Sequence, residues 1–215
     1  LLMFFVLSVF PDEFTFALQS PTSVPDLRTR KTGFDWPAFL GADRDGKSKE
    51  TGIVSPWPEN GIRAHWQLAT AEGYGAPSIA KGRLLVFDRK GSQARLRCLQ
   101  AESGKQIWQF QYQSDYTDVY QFSNGPRTTP VIDDDRVYIL GVDGKLFCLR
   151  FVDGELLWQI DTNVRFGVVQ NFFGVGSTPI IEDELLIAAI GGSPATPHAN
   201  RLAAQGEVVG NGSAL

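Results

Sequence analysis

Two segments of the chain, RLRCLQAESGKQIWQF at residues 95–110 and KLFCLRFVDGELLWQI at 145–160, carry one pattern fifty residues apart. Aligned without a gap, they share Leu96/Leu146, Cys98/Cys148, Leu99/Leu149, Gly104/Gly154, Trp108/Trp158 and Gln109/Gln159, six identities in sixteen positions. Most of the differences keep polarity. A Cys, a Gly and a Trp in one register make this an internal repeat, and such a repeat limits the fold to stacked copies of one supersecondary unit. Upstream, APSIAKGRLLVF (76–87), TPVIDDDRVYIL (129–140) and TPIIEDELLIAA (178–189) align on Pro77, Pro130 and Pro179. Each reads as a Pro, a short strand, a polar turn and a longer apolar strand. In the first two copies a further turn, a third strand ending in Cys-Leu, a Gly turn and a Trp-bearing fourth strand complete the unit. Four strands in about fifty residues is the signature of a propeller blade, so the expected fold is all-β, a propeller of four-stranded antiparallel blades.

The apolar patterning agrees. RVYIL (136–140) and LLIAAI (185–190) are nearly continuous rather than alternating, as strands covered on both faces are. Parallel α/β sheets give such runs too, but the connections here are too short for crossover helices. Blades packed face to face satisfy both constraints. With 43% hydrophobic and 20% charged residues, the 215-residue chain has the apolar mass for such a core. Its net charge of -4 and the lack of any Lys or Arg run argue against a nucleic-acid partner.

The chain divides into three parts. The apolar run LLMFFVLSVF at 1–10 fits the h-region of a secretory signal, and residues 1–20 read as a signal peptide with a truncated start; a core strand is the alternative. A run of ten residues cannot cross a ~30 Å hydrocarbon core, so no transmembrane helix is expected. The expected location is exported, in the periplasm or cell envelope. Residues 21–61, rich in Pro, Gly, Ser and charge, read as an extended arm. Residues 62–215 read as a partial propeller of two full blades and part of a third, because the sequence stops where the third strand of the third unit would start. IRAHWQLAT (62–70) aligns with the Trp-bearing fourth strands but has no three strands before it, so it is expected to be a poorly paired edge strand or to drift onto a neighbouring blade.

The segments from Cys98 to Trp108 and from Cys148 to Trp158 resemble the tryptophan-docking motif of pyrroloquinoline-quinone (PQQ)-type β-propellers, usually Ala-x-Asp-x-x-Thr-Gly-Lys-x-x-Trp. The Gly and Trp match in both copies and Lys105 in one. Ser103 and Asp153 stand at the Thr position, Gln100 and Arg150 at the Asp position, and Cys98 and Cys148 at the small first residue. DWPAFLGADRDG in the arm and the loops SNGPRTTP and QNFFGVGSTP are similar to exported bacterial PQQ-binding-like repeat proteins. That group spans quinoprotein alcohol dehydrogenases and cofactor-free propellers such as the outer-membrane protein assembly lipoprotein, so the fold does not choose the function. The first reading is a binding or scaffold propeller. The alternative is a PQQ- and calcium-dependent alcohol dehydrogenase, for which the resemblance implies PQQ with calcium in the full-length protein, an axial Asp base and calcium ligands. No catalytic residue or metal ligand can be assigned from the sequence, and no Cys-Cys pair is present.

Other features read plainly. Asp133, Asp134 and Asp135 fall between the first two strands of a unit and lack the spaced oxygen ligands of a calcium loop. His65 and His198 are too far apart in sequence context to suggest a metal pair. Cys98 and Cys148 occupy equivalent positions of neighbouring blades and are expected to remain small buried thiols beside the Trp. The inter-blade loops are the candidate ligand site, because both are longer than a plain connection needs. One carries Tyr116, Tyr120, Asn124 and Arg127, and the other Arg165, Gln170, Asn171 and Phe172. Aromatic faces with a few amides and an Arg would suit a protein, a glycan or a flat small molecule at the propeller funnel.

Overall fold

Pro77, Pro130 and Pro179 each stand one residue before a strand, where a residue without an amide hydrogen leaves the sheet ladder intact. The computed structural model describes residues 23–166, 168–169, 173–190 and 193–194. The first unit is β1 (Ser78–Ala80), β2 (Arg83–Lys90), β3 (Gln93–Gln100) and β4 (Gln106–Gln113). The second is β5 (Val131–Asp133), β6 (Arg136–Leu140), β7 (Lys145–Arg150) and β8 (Leu156–Asp161). Each unit is one antiparallel sheet with its strands in sequence order. A short helix α1 (Thr162–Phe166) and β9 (Val168–Val169) lead to β10 (Ile180–Glu182) and β11 (Leu185–Ile187), the first hairpin of a third unit. β9 pairs with β12 (Ser193–Pro194). The all-β architecture of four-stranded antiparallel blades is therefore present twice in full.

The non-alternating runs are the covered strands. Val137, Ile139, Leu140, Leu146 and Leu149 have no exposed surface, whereas β4, at the outer edge of its blade, alternates. Tight connections turn each unit back on itself. Lys81, Asp134 and Asp183 occupy the same turn in successive units, and all three adopt the left-handed conformation. β1 touches β5, which places the first strands at the converging inner side and Trp108 and Trp158 on the outermost strands.

Trp108 locks the two blades together. Its Nε1 donates to the Phe151 carbonyl at 3.0 Å, and its ring covers Gly154 so closely that a Cβ there would lie 2.5 Å from it. Gly154 also has φ +76°, so the position demands glycine twice over. The same device occurs one blade earlier: Trp66 Nε1 donates to the Ala101 carbonyl at 3.0 Å, and its ring covers Gly104. The structure shows no strand at 62–70; of the two outcomes expected, an edge strand or drift onto a neighbouring blade, it shows the second. With no sheet of its own to pair in, the segment docks through the Trp66 ring, and the chain beyond it forms only an isolated antiparallel bridge between Glu72 and Arg89.

A buried charge cluster fixes that docked segment. Asp88 on β2 accepts from Arg95 Nε and Nη2, both at 2.9 Å, and from Arg97 Nη2 at 2.7 Å. It also accepts from the Ala71 amide at 3.0 Å, and Arg97 reaches the Ala69 carbonyl. Asp88 is 2% exposed, so its desolvation is offset by four donors.

The N-terminal arm crosses all three units. The Leu27 amide donates to Lys81 O, Trp36 and Ile79 exchange both backbone hydrogen bonds, and the Ile132 amide donates to Pro37 O. Arg44 then reaches Ile181 O and Glu182 in the third unit. Val24 is buried in the core, and Arg83, 3% exposed, donates to Pro25 O. The arm is thus a strap laid along the free edges of the inner strands.

Cys98 and Cys148 are free, buried thiols, each opposite the Trp of its blade in the β3–β4 or β7–β8 ladder. Burial pushes both from 9.0 up to about 12, and Tyr138 beside Cys148 from 10.0 up to about 12. All three folded-state values lie above the unfolded ones. The unfolded chain therefore releases protons first as pH rises, and stability falls between pH 9 and 12. Urea midpoints measured across that window should drop steadily. A Cys98→Ala, Cys148→Ala variant should show a shallower drop, and an unchanged slope would refute the assignment.

Candidate functional site

The inner strands have two unlike ends. At one end lie the tight turns at Lys81, Asp134 and Asp183, where the strap begins its crossing. At the other end the long loops at 114–130 and 161–179 enter from the neighbouring blade. Under the strap's turn, Pro37, Phe39 and Leu40 face Val131, Ile132 and Ile181 across a cleft of about 570 Å³. The loop end carries the more organised chemistry.

The first loop is built around Asp118, which is 1% exposed. Its Oδ1 accepts from the Tyr120 amide at 3.0 Å, and its Oδ2 from the Ser123 amide and Arg127 Nη2, both at 3.2 Å. Its own amide donates to Asn124 Oδ1 at 2.8 Å. This is the local side-chain-to-backbone pattern that lets Asp organise a turn. Burial alone would raise the Asp118 pKa, but the two amides and the guanidinium outweigh it and hold the carboxyl below its ordinary value. From below, Arg89 Nη1 donates to the carbonyls of Tyr116 at 2.6 Å and Asn124 at 2.9 Å. Glu72 accepts from the Asn124 amide at 2.7 Å. Arg127 also reaches the Tyr116 hydroxyl at 3.3 Å and lies over the rings of Tyr74 and Tyr116.

That frame presents an apolar tip to solvent. Tyr120 stacks on Phe122 with centroids 6.1 Å apart and meets Phe173, from the second loop, at 5.8 Å. Phe122 is 73% exposed and Val119 64%. The two loops therefore converge in one aromatic cluster.

The residues expected from sequence separate into roles. Tyr116, Asn124 and Arg127 belong to the frame and face inward to partners, while Tyr120 belongs to the exposed cluster. Arg165 is exposed in the last turn of α1 and, among the described residues, hydrogen-bonds to none of the others. Gln170, Asn171 and Phe172 lie outside the described residues, as do His198 and residues 1–20. His65 is exposed, and Asp133 and Asp134 lie exposed, the first at the end of β5 rather than in the turn and the second in the turn itself. Sequence reasoning missed Asp118, Arg89, Glu72, Phe122 and Phe173. For Asp118 a signal was available, because Asp followed at short range by Ser-Asn-Gly marks a side-chain-organised turn.

Blades locked by a Trp on one and a Gly on the next, with loops gathered at one end of the inner strands, define a PQQ-type β-propeller. A family model described as outer membrane protein assembly factor BamB matches residues 52–196, more than half the chain. The chain belongs to this family of PQQ-repeat β-propellers. No curated protein matches it significantly. Among solved structures, the quinohemoprotein alcohol dehydrogenase from Comamonas testosteroni is similar at 19% identity and TM-score 0.58, over 74% of this chain and 23% of that one. BamB from Moraxella catarrhalis is similar at 21% identity and TM-score 0.35, over 57% of this chain and 31% of that one. The chain thus spans less than a third of either protein, and the likeness to the dehydrogenase is one of fold.

Both Asp118 oxygens are taken by amides and Arg127, and Arg127 is committed to Tyr116 and Ser123 as well. Among the described residues, no three His, Cys, Asp or Glu side chains stand close enough to hold a metal ion. None of the helices among them is long and apolar enough to cross a membrane.

Proposed function

We propose that this chain belongs to an exported propeller with a binding or scaffold role in the cell envelope, and that its inter-blade loop end is the binding face. The observation that carries this reading is the aromatic cluster of Tyr120, Phe122 and Phe173. It is held in water by a loop braced from beneath through the hydrogen bonds of Asp118, Arg89 and Arg127. Ordering large apolar side chains at the surface costs entropy and apolar hydration, and a partner that covers them recovers both. The apolar first segment of the sequence supports export.

A photo-crosslinking amino acid at position 122 tests the reading in an envelope extract, with the same group at Asp153 as reference. A discrete adduct should form from position 122 and disappear with Tyr120→Ser and Phe173→Ser. Equal labelling from both positions would refute the loop end as the binding face. The dehydrogenase reading has its own test. Saturable quenching of tryptophan fluorescence by PQQ with calcium, lost with Tyr120→Ala, would establish it instead.

A further inference from the structure

The cleft beneath the strap's turn lies at the opposite end of the inner strands from the aromatic cluster. Pro37 O accepts from the Ile132 amide on one side of it, and Arg44 reaches Ile181 O and Glu182 on the other. Between those anchors the turn is fixed by its own bonds. The Gly41 amide donates to Ala38 O and the Gly46 amide to Leu40 O, both at 3.0 Å, and the Trp36 ring backs onto Gly41. Walls preformed in this way cost little to order when a ligand binds. The volume of about 570 Å³ falls within the roughly 300–1,000 Å³ of small-molecule sites. Phe39, Leu40 and Ile180 give the cleft an apolar side.

Charge at the rim selects the occupant. Asp133, at the end of β5, and Asp183, in the turn between β10 and β11, both line the cleft. The cations that reach these turns are already paired: Arg44 lies 3.2 Å from Glu182, Lys81 3.5 Å from Asp134 and Arg136 3.7 Å from Asp135. Asp133, Asp183 and the neighbouring Glu184 have no ion pair among the described residues. Partial desolvation and the charges of Asp134, Asp135 and Glu184 raise the Asp133 pKa against the pull of Arg136. A cation in the cleft offsets both effects. A bare metal ion does not fit, because no three His, Cys, Asp or Glu side chains among the described residues stand close enough to hold one. We propose that the cleft binds a small organic cation, a primary ammonium carried on an alkyl or single-ring body. Its ammonium sits at Asp133 and Asp183, and its body lies against Phe39, Leu40 and Ile180. Such an occupant touches the strap and the third unit together, so binding fastens one to the other.

Phenethylammonium and hexylammonium are the probes, titrated calorimetrically into the full chain, with 2-phenylethanol as the neutral counterpart. Both ammonium ions should saturate a single site, and the alcohol should bind at least about tenfold more weakly. Asp133→Asn combined with Asp183→Asn should weaken ammonium binding at least about tenfold with no change in thermal midpoint. Asparagine keeps the shape of each side chain and tolerates the left-handed backbone at Asp183, where φ is 51°. Asp134→Asn, which removes a charge paired with Lys81, should leave the affinity within about twofold. Amide exchange at Gly41 and Gly46 should slow when either ammonium is bound, as the turn is fastened. No saturation by either probe below about 10 mM overturns the proposal. So does an alcohol that binds as tightly as the amines, or binding that survives both asparagines, since the carboxylates then recognise nothing. Binding that leaves Gly41 and Gly46 exchange unchanged also overturns it, because the site is then elsewhere.

Discussion

Replacing Trp108 with alanine is expected to lower the unfolding free energy by about 3–5 kcal/mol, read as a shift of the urea midpoint. The side chain is 8% exposed, fills the seam between the two complete blades, and leaves the Phe151 carbonyl unpaired when removed. Gly154→Ala should approach the same loss from the other side of the contact, because the added methyl meets the ring and the backbone sits at φ +76°. Trp158→Ala should cost less, since that ring is only half-buried against Tyr138 and Leu186, but more than any change in the solvated turn at Asp133 and Asp134. A Trp108→Ala midpoint within error of the parent would mean that the blades are not held through this seam.

Asp88→Ala should be comparably damaging, by about 3–5 kcal/mol, for a different reason. The substitution strands Arg97, 8% exposed, and half-buried Arg95 without their carboxylate, and it frees the Ala71 amide. The loss should concentrate in the docked segment. Amide exchange at Ala71 and Glu72 should rise well before exchange in β6 or β7. Removing Arg95 and Arg97 together with Asp88 should recover part of the stability, because apolar packing replaces a buried charge cluster with little net loss. A triple variant no better than Asp88→Ala would show that the cluster stabilises through something other than charge pairing.

The contrast between these two sites explains what the amino-acid sequence made legible. Trp108, Gly154 and the Pro residues repeat, so alignment of the chain with itself located every strand of both blades. Asp88, Arg95 and Arg97 do not repeat as a set: Arg95 aligns with Lys145, but Arg97 aligns with Phe147 and Asp88 with Gly141, and only pairing of β2 with β3 brings the three charges together. Trp66 aligns with the other two and has no three strands before it, so its weak pairing was legible, whereas the closure of its ring over Gly104 needed the structure. At the loop end, aromatic content was visible while the division of labour was not. Arg127 looked like a ligand-binding cation and is instead committed to Asp118 and Tyr116, because the buried carboxylate that claims it sits nine positions earlier in the same loop.

The strap also imposes an order on folding. Its bond from Arg44 to Glu182 closes 138 residues of chain, and its partners on β1, β5 and β10 belong to three successive units. Contacts that close so long a loop form only after the intervening entropy has been lost to other structure. The strap therefore leaves the ribosome before the three units it binds and is set in place after them. Until the third hairpin is made, it remains available to a chaperone or a neighbouring nascent chain.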